Sequence, residues 1–392
     1  MLKTIKKNWQ LLALVFLLIA IGMVFIYSAS SYSSSVRYDD SFYFVKKQLL
    51  GFVMGLVVMA FFMLFDYHKF VKLRWIVVAV YVGLLLLVFI PGIGRSNYGA
   101  NRWITIGGIS LQSSEVAKFG FVIFSASYLS KNYKKMDNFW HTLPIIAVGG
   151  CTCLLILLEP NLSVTLCLGT VMLIMLLIGG MKLKHFLIIL IPALCLVPIL
   201  ILIEPYRLQR LVAFIDPWAS PKEEGFQLIQ SLYALGSGGL FGVGLFNSRQ
   251  KYLFLPFSES DFIFSIIGEE LGFVGCILII ALYGILIWKG IKIALNASDR
   301  LGCYMAGGIT SIIGVQLLIN IAVVTGSIPP TGIPLPFMSA GGTSLMVFMG
   351  AVGMLLNIGK PRENTLTNYN GDNKSIFNRA HHIKNKKTFS NV

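Results

Sequence analysis

The sequence predicts an all-α protein that crosses a membrane many times. Of its 392 residues, 56% are hydrophobic and only 12% are charged, whereas a soluble domain carries about 25% charged residues. The mean hydropathy is +0.77. Apolar runs of about twenty residues, enough to cross a bilayer, recur along the chain. We therefore predict a polytopic membrane protein with ten transmembrane helices.

The ten predicted helices are the apolar runs long enough to span a bilayer. They cover residues 9–30, 44–65, 74–92, 112–130, 142–158, 162–180, 184–204, 262–288, 302–323 and 341–358. The first run is too long for the core of a signal peptide and lacks a small-residue cleavage site, so we interpret it as a helix. We divide the chain into a membrane domain, 1–358, and a polar, basic tail, 359–392, that we predict to be disordered.

Lysine and arginine set the orientation of the helices. Most of these residues fall in the amino terminus, in alternate loops and in the tail, and cytoplasmic segments are the ones that carry such an excess. We therefore predict that both termini are cytoplasmic and that loops 92–111, 205–260 and 325–340 lie outside. The net charge of +15 is an orientation signal on this interpretation, and we predict no binding to nucleic acid.

Two of the outer loops have compositions that indicate function. Loop 205–260, between helices 7 and 8, is far longer than an ordinary connection, and its glycine and aromatic content argues against disorder. Loop 325–340, TGSIPPTGIPLPFMSA, is rich in proline. Irregular backbone at membrane depth is tolerated only where it lines a cavity or packs against protein. We therefore expect a site at the outer face.

Carboxylates are the natural bases for chemistry at that face. All five histidines fall in inside loops or in the tail, so an outer reaction has no imidazole to use as a base. Asp261, the second residue of SDFIFSII, is the last charge before the apolar residues of helix 8. Two interpretations stay open on the residues alone: Asp261 caps the following helix, or it is catalytic.

Basic residues supply candidates for binding an anion. Glu115 and Lys118 are spaced i, i+3 near the outer end of helix 4, so they form either a structural salt bridge or part of a phosphate site. Arg102 and Trp103 lie in the loop just before them. Arg249 and Lys251 are either ligands of a pyrophosphate or surface charges.

Several long motifs, taken together, resemble the SEDS family of bacterial wall polymerases (FtsW, RodA, SpoVE), with the loops closer to FtsW and SpoVE. In chain order they are NYGANRWITIGG, SSEVAKF, EPNLSVT, FIDPWASPKEEGFQLIQSLYALGSGGLFGVGLFNSRQKYLFLP, SDFIFSIIGEELGF and TGIPLPFMSAGGTSL. They span nearly all of the membrane domain and occur in the order of the family. Glu259 and Ser260 depart from the family's usual His-Thr before the aspartate, and Asn161 stands where the family often has aspartate.

The resemblance implies a ten-helix fold with both ends cytoplasmic and a peptidoglycan glycosyltransferase activity. The substrate would be lipid II, a disaccharide pentapeptide on undecaprenyl pyrophosphate, polymerised with inversion at the anomeric carbon. Asp261 matches the family's essential aspartate and would be the catalytic base. Trp103, Glu115 and Lys118 match further family motifs, and with Arg102, Arg249 and Lys251 they are the predicted substrate-binding residues.

The resemblance also implies partners and a location. We expect a class B penicillin-binding protein transpeptidase, other division proteins, and a place in the cytoplasmic membrane at the division septum. We predict no fixed metal site, although Mg²⁺ or Mn²⁺ could serve at the pyrophosphate. Two alternatives stay open, a lipid II flippase and a non-enzymatic division scaffold. A flippase needs ionisable residues between both faces, whereas the charged candidates here crowd the outer half.

Overall fold

The structure is a computed structural model that describes residues 2–91, 94–97, 100–106 and 109–360. Residues 361–392, most of the predicted tail, lie outside that part. Twelve helices occupy the described residues: α1 (Leu2–Tyr38), α2 (Tyr43–Leu64), α3 (Phe70–Leu87), α4 (Ser113–Asn132), α5 (Phe139–Leu158), α6 (Leu162–Ile178), α7 (Leu183–Ile203), α8 (Pro205–Ile215), α9 (Phe226–Gly238), α10 (Ile263–Leu295), α11 (Arg300–Val324) and α12 (Gly342–Ile358).

The prediction of a mainly helical membrane protein is confirmed. Among the described residues, seven helices are long and apolar enough to cross a membrane, and α6 and α12 are shorter apolar helices. α4 matches the fourth predicted helix, but its serines and the charged pair Glu115 and Lys118 lower its hydropathy, and most of its residues are buried. The total of ten crossings stays a prediction.

The structure differs from the prediction in the outer loops. An antiparallel sheet of three strands, β1 (Gly94–Asn97), β2 (Ala100–Ile106) and β3 (Ile109–Gln112), forms where we predicted only a loop. β-Branched residues in WITIGGI, on either side of a glycine pair, are the local signal for such a hairpin. Loop 205–260 likewise contains two helices, α8 and α9. β3 leads directly into α4, so the sheet is tied to the helix core.

The α2 and α12 helices pack through small residues. A Cβ atom added to Gly353 would lie 2.3 Å from the carbonyl oxygen of Met59, and one added to Gly51 would lie 2.4 Å from the Cα atom of Gly342. Close backbone approach of this kind is how helices gain van der Waals contact within a membrane. α7, in contrast, has no buried residue and lies at the edge of the bundle.

A break in α10 holds the part of loop 205–260 that follows α9 against the bundle. Gly272 has φ of 69° inside the helix, a conformation that glycine adopts without steric cost. The freed amide of Phe273 donates to the carbonyl oxygen of Gly239 at 2.9 Å, and the amide of Val243 donates to that of Glu269 at 3.0 Å. The loop is therefore joined to α10 by main-chain hydrogen bonds.

We predict that Gly272→Ala destabilises the fold by about 2–4 kcal/mol, because it adds both backbone strain and overpacking. A Cβ atom at this position would lie 2.3 Å from the amide nitrogen of Gly242. The matched control is Gly284→Ala in the same helix, where an added Cβ meets nothing within 4 Å. Thermal unfolding in detergent should show a large drop for Gly272→Ala alone. Equal melting temperatures for the two variants would contradict this account of the break.

Candidate functional site

Asp261 lies in a short turn just before α10. The helix begins at Ile263 with Phe262 at its N-cap position and has no side-chain cap hydrogen bond, so the cap interpretation of Asp261 is wrong. The side chain faces the proline segment (residues 325–341) instead, because a Cβ atom added to Gly332 would lie 3.1 Å from its Oδ2 atom. Asp261 is half-buried. Its carboxyl group therefore lies between outer segments and does not cap a helix.

Two amide side chains on α11 hold these outer segments in place. Asn320 donates from Nδ2 to the carbonyl oxygens of Asp261 and Ile333, both at 2.8 Å. Gln316, one turn earlier, donates from Nε2 to the carbonyl oxygen of Pro334 at 2.9 Å. Both amides are buried. A rigid helix thus fixes the backbone of the catalytic candidate and of the proline segment together.

The two segments also bind each other directly. The Ser339 hydroxyl donates to the carbonyl oxygen of Ser260 at 2.6 Å, and the amide of Ala340 donates to that of Glu259 at 2.9 Å. These bonds satisfy backbone groups that no helix or strand pairs, and buried groups of that kind are costly to leave without a partner. The irregular path of the proline segment is therefore stabilised at the position that Asp261 needs.

The surroundings of Asp261 bring its titration near neutral pH. Burial, the largest cause, and the neighbouring Glu259 carboxyl raise the pKa of Asp261 to about 7, against the opposing effects of Arg210 and Arg102. Burial also raises the pKa of Glu259. A base is most effective when its pKa lies close to the working pH. Asp261 is therefore suited to accept and release a proton.

Arg102 is held on β2 by carbonyl groups at the end of α5. Its Nε atom donates to the carbonyl oxygen of Glu159 at 3.1 Å, and its Nη2 atom donates to that of Pro160. Burial raises the pKa of the Glu159 carboxyl to about 8, so this carboxyl is mostly neutral at pH 7. Glu159 therefore does not neutralise the positive charge of Arg102, which is available to bind another anion.

Arg210 on α8 is a second cation near Asp261 and is not among the residues predicted from the sequence. Its Nη1 atom donates to the carbonyl oxygen of Pro330 at 3.1 Å, and its guanidinium lies 4.5 Å from the ring centre of Tyr206. The local signal was available in PYRLQRLVAFI, where a proline starts a helix with an aromatic and a basic residue spaced i, i+4 on one face.

Glu115 and Lys118 form a buried ion pair with no exposed charge. Their Oε1 and Nζ atoms are 2.7 Å apart, and each side chain is 1% exposed. Lys118 also donates to Oε1 of Gln316 at 2.6 Å, and Ser344 donates to Oε2 of Glu115 at 3.3 Å. The pair joins α4 to α11 and α12. Through Gln316 it supports the proline segment from below.

The remaining predicted binding residues lie in other environments. Trp103 is half-buried on β2 and pairs with Gln112 of β3. Lys251 is 5% exposed; its ammonium donates to the carbonyl oxygen of Phe246 and lies 3.8 Å from Oε1 of Glu270. Arg249 is exposed, and its amide donates to Oε1 of Glu269 at 2.9 Å. Within the described part of the chain, the hydrogen bonds and ion pairs of Arg249 and Lys251 are made with other residues and not with Asp261.

The structure therefore brings together Asp261, Arg102 and the unpredicted Arg210. Glu115 and Lys118 reach this site through Gln316 and the proline segment. In the described part of the chain, no group of three or more His, Cys, Asp or Glu side chains is placed to hold a metal ion. A divalent cation at the pyrophosphate stays a prediction.

Sequence comparison gives strong matches to known proteins. The model of a family described as "Cell cycle protein" and named for FtsW, RodA and SpoVE matches residues 8–364. Stage V sporulation protein E of Bacillus subtilis (strain 168) is 42% identical over 360 residues, which cover 91% of this chain and 98% of that protein. A probable peptidoglycan glycosyltransferase FtsW of Geobacter sp. (strain M18) is 38% identical over 354 residues, covering 88% and 95%.

Solved structures share the fold. A chain of a peptidoglycan synthase complex that coordinates polymerization and crosslinking matches with a TM-score of 0.70 and 26% identity, covering 90% of this chain and 97% of that one. The rod shape determining protein RodA of Thermus thermophilus matches with a TM-score of 0.67 and 24% identity, covering 91% and 98%. The identity to SpoVE and FtsW is higher, as the motifs predicted.

We predict that Lys118→Met alone destabilises the protein by about 3–5 kcal/mol, because it leaves the buried Glu115 carboxylate without its cation. The double variant Glu115→Gln, Lys118→Met removes both charges and should recover most of that loss. Thermal unfolding of both variants in the same detergent measures the difference. If the single and double variants lose the same stability, the two residues do not act as a compensated pair.

Proposed function

The chain belongs to the FtsW, RodA and SpoVE family, and on that premise we propose that it polymerises lipid II into glycan strands at the outer face of the cytoplasmic membrane. It is a membrane-embedded peptidoglycan glycosyltransferase. The observation that carries the mechanism is the half-buried Asp261 side chain that faces the proline segment, where Arg102 and Arg210 oppose the rise of its pKa to about 7. Such an arrangement provides a base and a cationic site for a leaving group side by side.

The reaction we propose is a direct displacement with inversion. The C4 hydroxyl of the acceptor sugar attacks the anomeric carbon of the donor, and Asp261 takes the hydroxyl proton as the new bond forms. The bond between that carbon and the pyrophosphate breaks, and the electron pair leaves with the pyrophosphate. Arg102 and Arg210 stabilise the charge that develops there, as arginines do for phosphate groups.

We propose roles for the other predicted binding residues from their positions in the structure. Trp103 pairs with Gln112, the last residue of β3 before α4, and would support the sugar side of the site. Glu115 and Lys118 would act by holding the proline segment rather than by contacting substrate. For Arg249 we propose contact with the polar head of the substrate from the exposed loop. Lys251, which is engaged by its own chain, would reach substrate only after releasing the Phe246 carbonyl.

Membership of the family supports proposals about the partners of this chain and its place in the cell. A matching chain belongs to a peptidoglycan synthase complex, and we propose that this chain works with a class B penicillin-binding protein transpeptidase. We also propose that both termini are cytoplasmic and that the enzyme acts with other division proteins at the septum. If purified protein moves lipid II across liposome membranes without forming strands, the flippase alternative is favoured.

We predict that Asp261→Asn lowers the rate of lipid II polymerisation by about 10²- to 10⁴-fold, the usual contribution of a positioned base. The assay is strand formation by the purified protein with its partner, measured on a gel. The matched control is Asp39→Asn, an exposed carboxylate with φ of 53°, a conformation that asparagine tolerates. Wild-type activity in a folded Asp261→Asn protein would rule out Asp261 as the catalytic base.

We also predict a pH dependence set by Asp261. The base works only when ionised, so the rate of the chemical step should rise with pH to half its maximum near pH 7, as the pKa of about 7 requires. Glu259→Gln removes a carboxyl that raises this pKa, so the half-maximum should move to lower pH. Arg210→Gln removes a cation that lowers it, so the half-maximum should move to higher pH. Identical profiles in all three proteins would contradict the assignment.

A further inference from the structure

The segment that follows α9 is strongly apolar although it belongs to an outer loop. No charged residue occurs between Glu224 and Arg249. Within this stretch Leu240 is 64% exposed and Phe241 is 80% exposed. Single apolar side chains on a surface need no explanation, but adjacent ones in a long stretch without charge indicate a surface that contacts something apolar. We call residues 239–246 the apolar turn.

The apolar turn lies beside the membrane-spanning part of α10. The amide of Val274 donates to the carbonyl oxygen of Leu240 at 3.1 Å, just after the break in the helix. From there α10 has exposed apolar side chains at Phe273, Val274, Ile277 and Leu278. Such side chains on a helix that is long and apolar enough to cross a membrane contact lipid tails, which are as apolar as leucine. The exposed surface of the turn is therefore continuous with a surface that lipid covers.

The depth of the turn follows from the length of α10. Trp288 and Lys289 end the apolar part of the helix, and aromatic and basic residues in this order are typical of a membrane interface. At about 1.5 Å per residue, Phe273 lies roughly 22 Å from Trp288 along the helix. The hydrocarbon core of a bilayer is about 30 Å thick. Phe273 and the turn beside it therefore lie below the outer boundary of the hydrocarbon.

The irregular backbone at this depth has partners for its polar groups. Main-chain hydrogen bonds to α10 satisfy amides of the turn itself. Where the chain returns, the buried Glu269 side chain accepts from the amides of Arg249 at 2.9 Å and Gln250 at 3.4 Å. The buried Glu270 side chain accepts from the amide of Ser248 at 3.2 Å. The segment thus meets the condition under which irregular backbone is tolerated within a membrane.

We propose that the apolar turn inserts into the outer leaflet, with Leu240 and Phe241 among the lipid acyl chains. The insertion is shallow, about 5–10 Å, as for other elements that bury an apolar face at a membrane interface. It anchors in the membrane the chain that leads to Asp261, so the candidate site is held close to the lipid head groups. Insertion does not require that the chain polymerises lipid II.

The experiment measures the depth of a nitroxide label by electron paramagnetic resonance, in liposomes that contain the chain without a partner protein. The label is attached to Phe241→Cys in a background whose six native cysteines are replaced by alanine. Collisions with lipid-soluble oxygen and with a water-soluble nickel complex give the depth. We expect the label at position 241 to lie about 5–10 Å below the boundary between head groups and acyl chains.

The matched controls are Leu278→Cys, on the lipid-facing surface of α10, and Lys222→Cys, an exposed residue of the same loop. The first label should collide mainly with oxygen and the second mainly with the nickel complex. A label at position 241 that meets the nickel complex as freely as the label of Lys222→Cys would overturn the inference. A label shielded from both reagents would overturn it too, because protein would then cover the turn.

A second measurement makes the same test if the background without cysteine does not fold. The photoreactive residue p-benzoylphenylalanine is placed at position 241 of the chain with its native cysteines, and the liposomes are irradiated. We expect adducts with lipid acyl chains, detected by mass spectrometry. Crosslinks to protein without lipid adducts would overturn the inference.

Discussion

The outer site depends on two amide side chains of one helix. Gln316 and Asn320 lie one turn apart on α11 and donate to the backbone of three outer residues, Asp261, Ile333 and Pro334. The segments that they hold contain prolines and irregular backbone, which supply few hydrogen bonds of their own. Without these donors, the buried carbonyl groups would lack partners at a cost of about 1–3 kcal/mol each. The helix therefore gives the loops the rigidity that a catalytic group requires.

The same helix links the site to the charge balance of the core. The buried ammonium of Lys118 donates to both Glu115 and Gln316. The carboxylate neutralises its charge, and the amide oxygen accepts a second hydrogen bond from it. Isolated charges are costly inside a membrane protein, and this network compensates them without using the ionisable groups around Asp261. The cations Arg102 and Arg210 bind backbone carbonyls instead of carboxylates. Their charges are therefore available to act on a substrate. The network of Glu115, Lys118 and Gln316 supports the structure, whereas the two arginines lie where we propose that the chemistry occurs.

Local sequence patterns predicted the apolar helices and indicated carboxylates and cations at the outer face. Contacts between residues far apart in the sequence could be seen only in the structure. Apolar runs located ten of the helices, because length and hydropathy are local properties. The apolar run that forms α10 drew attention to Asp261 just before it, but whether this residue caps the helix could be decided only from the geometry. The sequence around Arg210 predicts a short helix, but the contact of Arg210 with Pro330 spans 120 positions and could not be predicted from that local pattern. The role of Asn320 could not be predicted either, because its contact with Asp261 spans 59 positions and no local periodicity indicates it.

We infer that the folded protein holds Asp261 as a carboxyl group that titrates near neutral pH. Infrared spectroscopy measures this directly, as the pH dependence of the protonated carboxyl band that is present in the wild-type protein and missing from Asp261→Asn. A midpoint near pH 7 agrees with the partly buried site between Glu259 and the two arginines. A midpoint close to the ordinary aspartate value of about 4 would contradict it, because the group would then be solvated and ionised throughout the range in which the enzyme works.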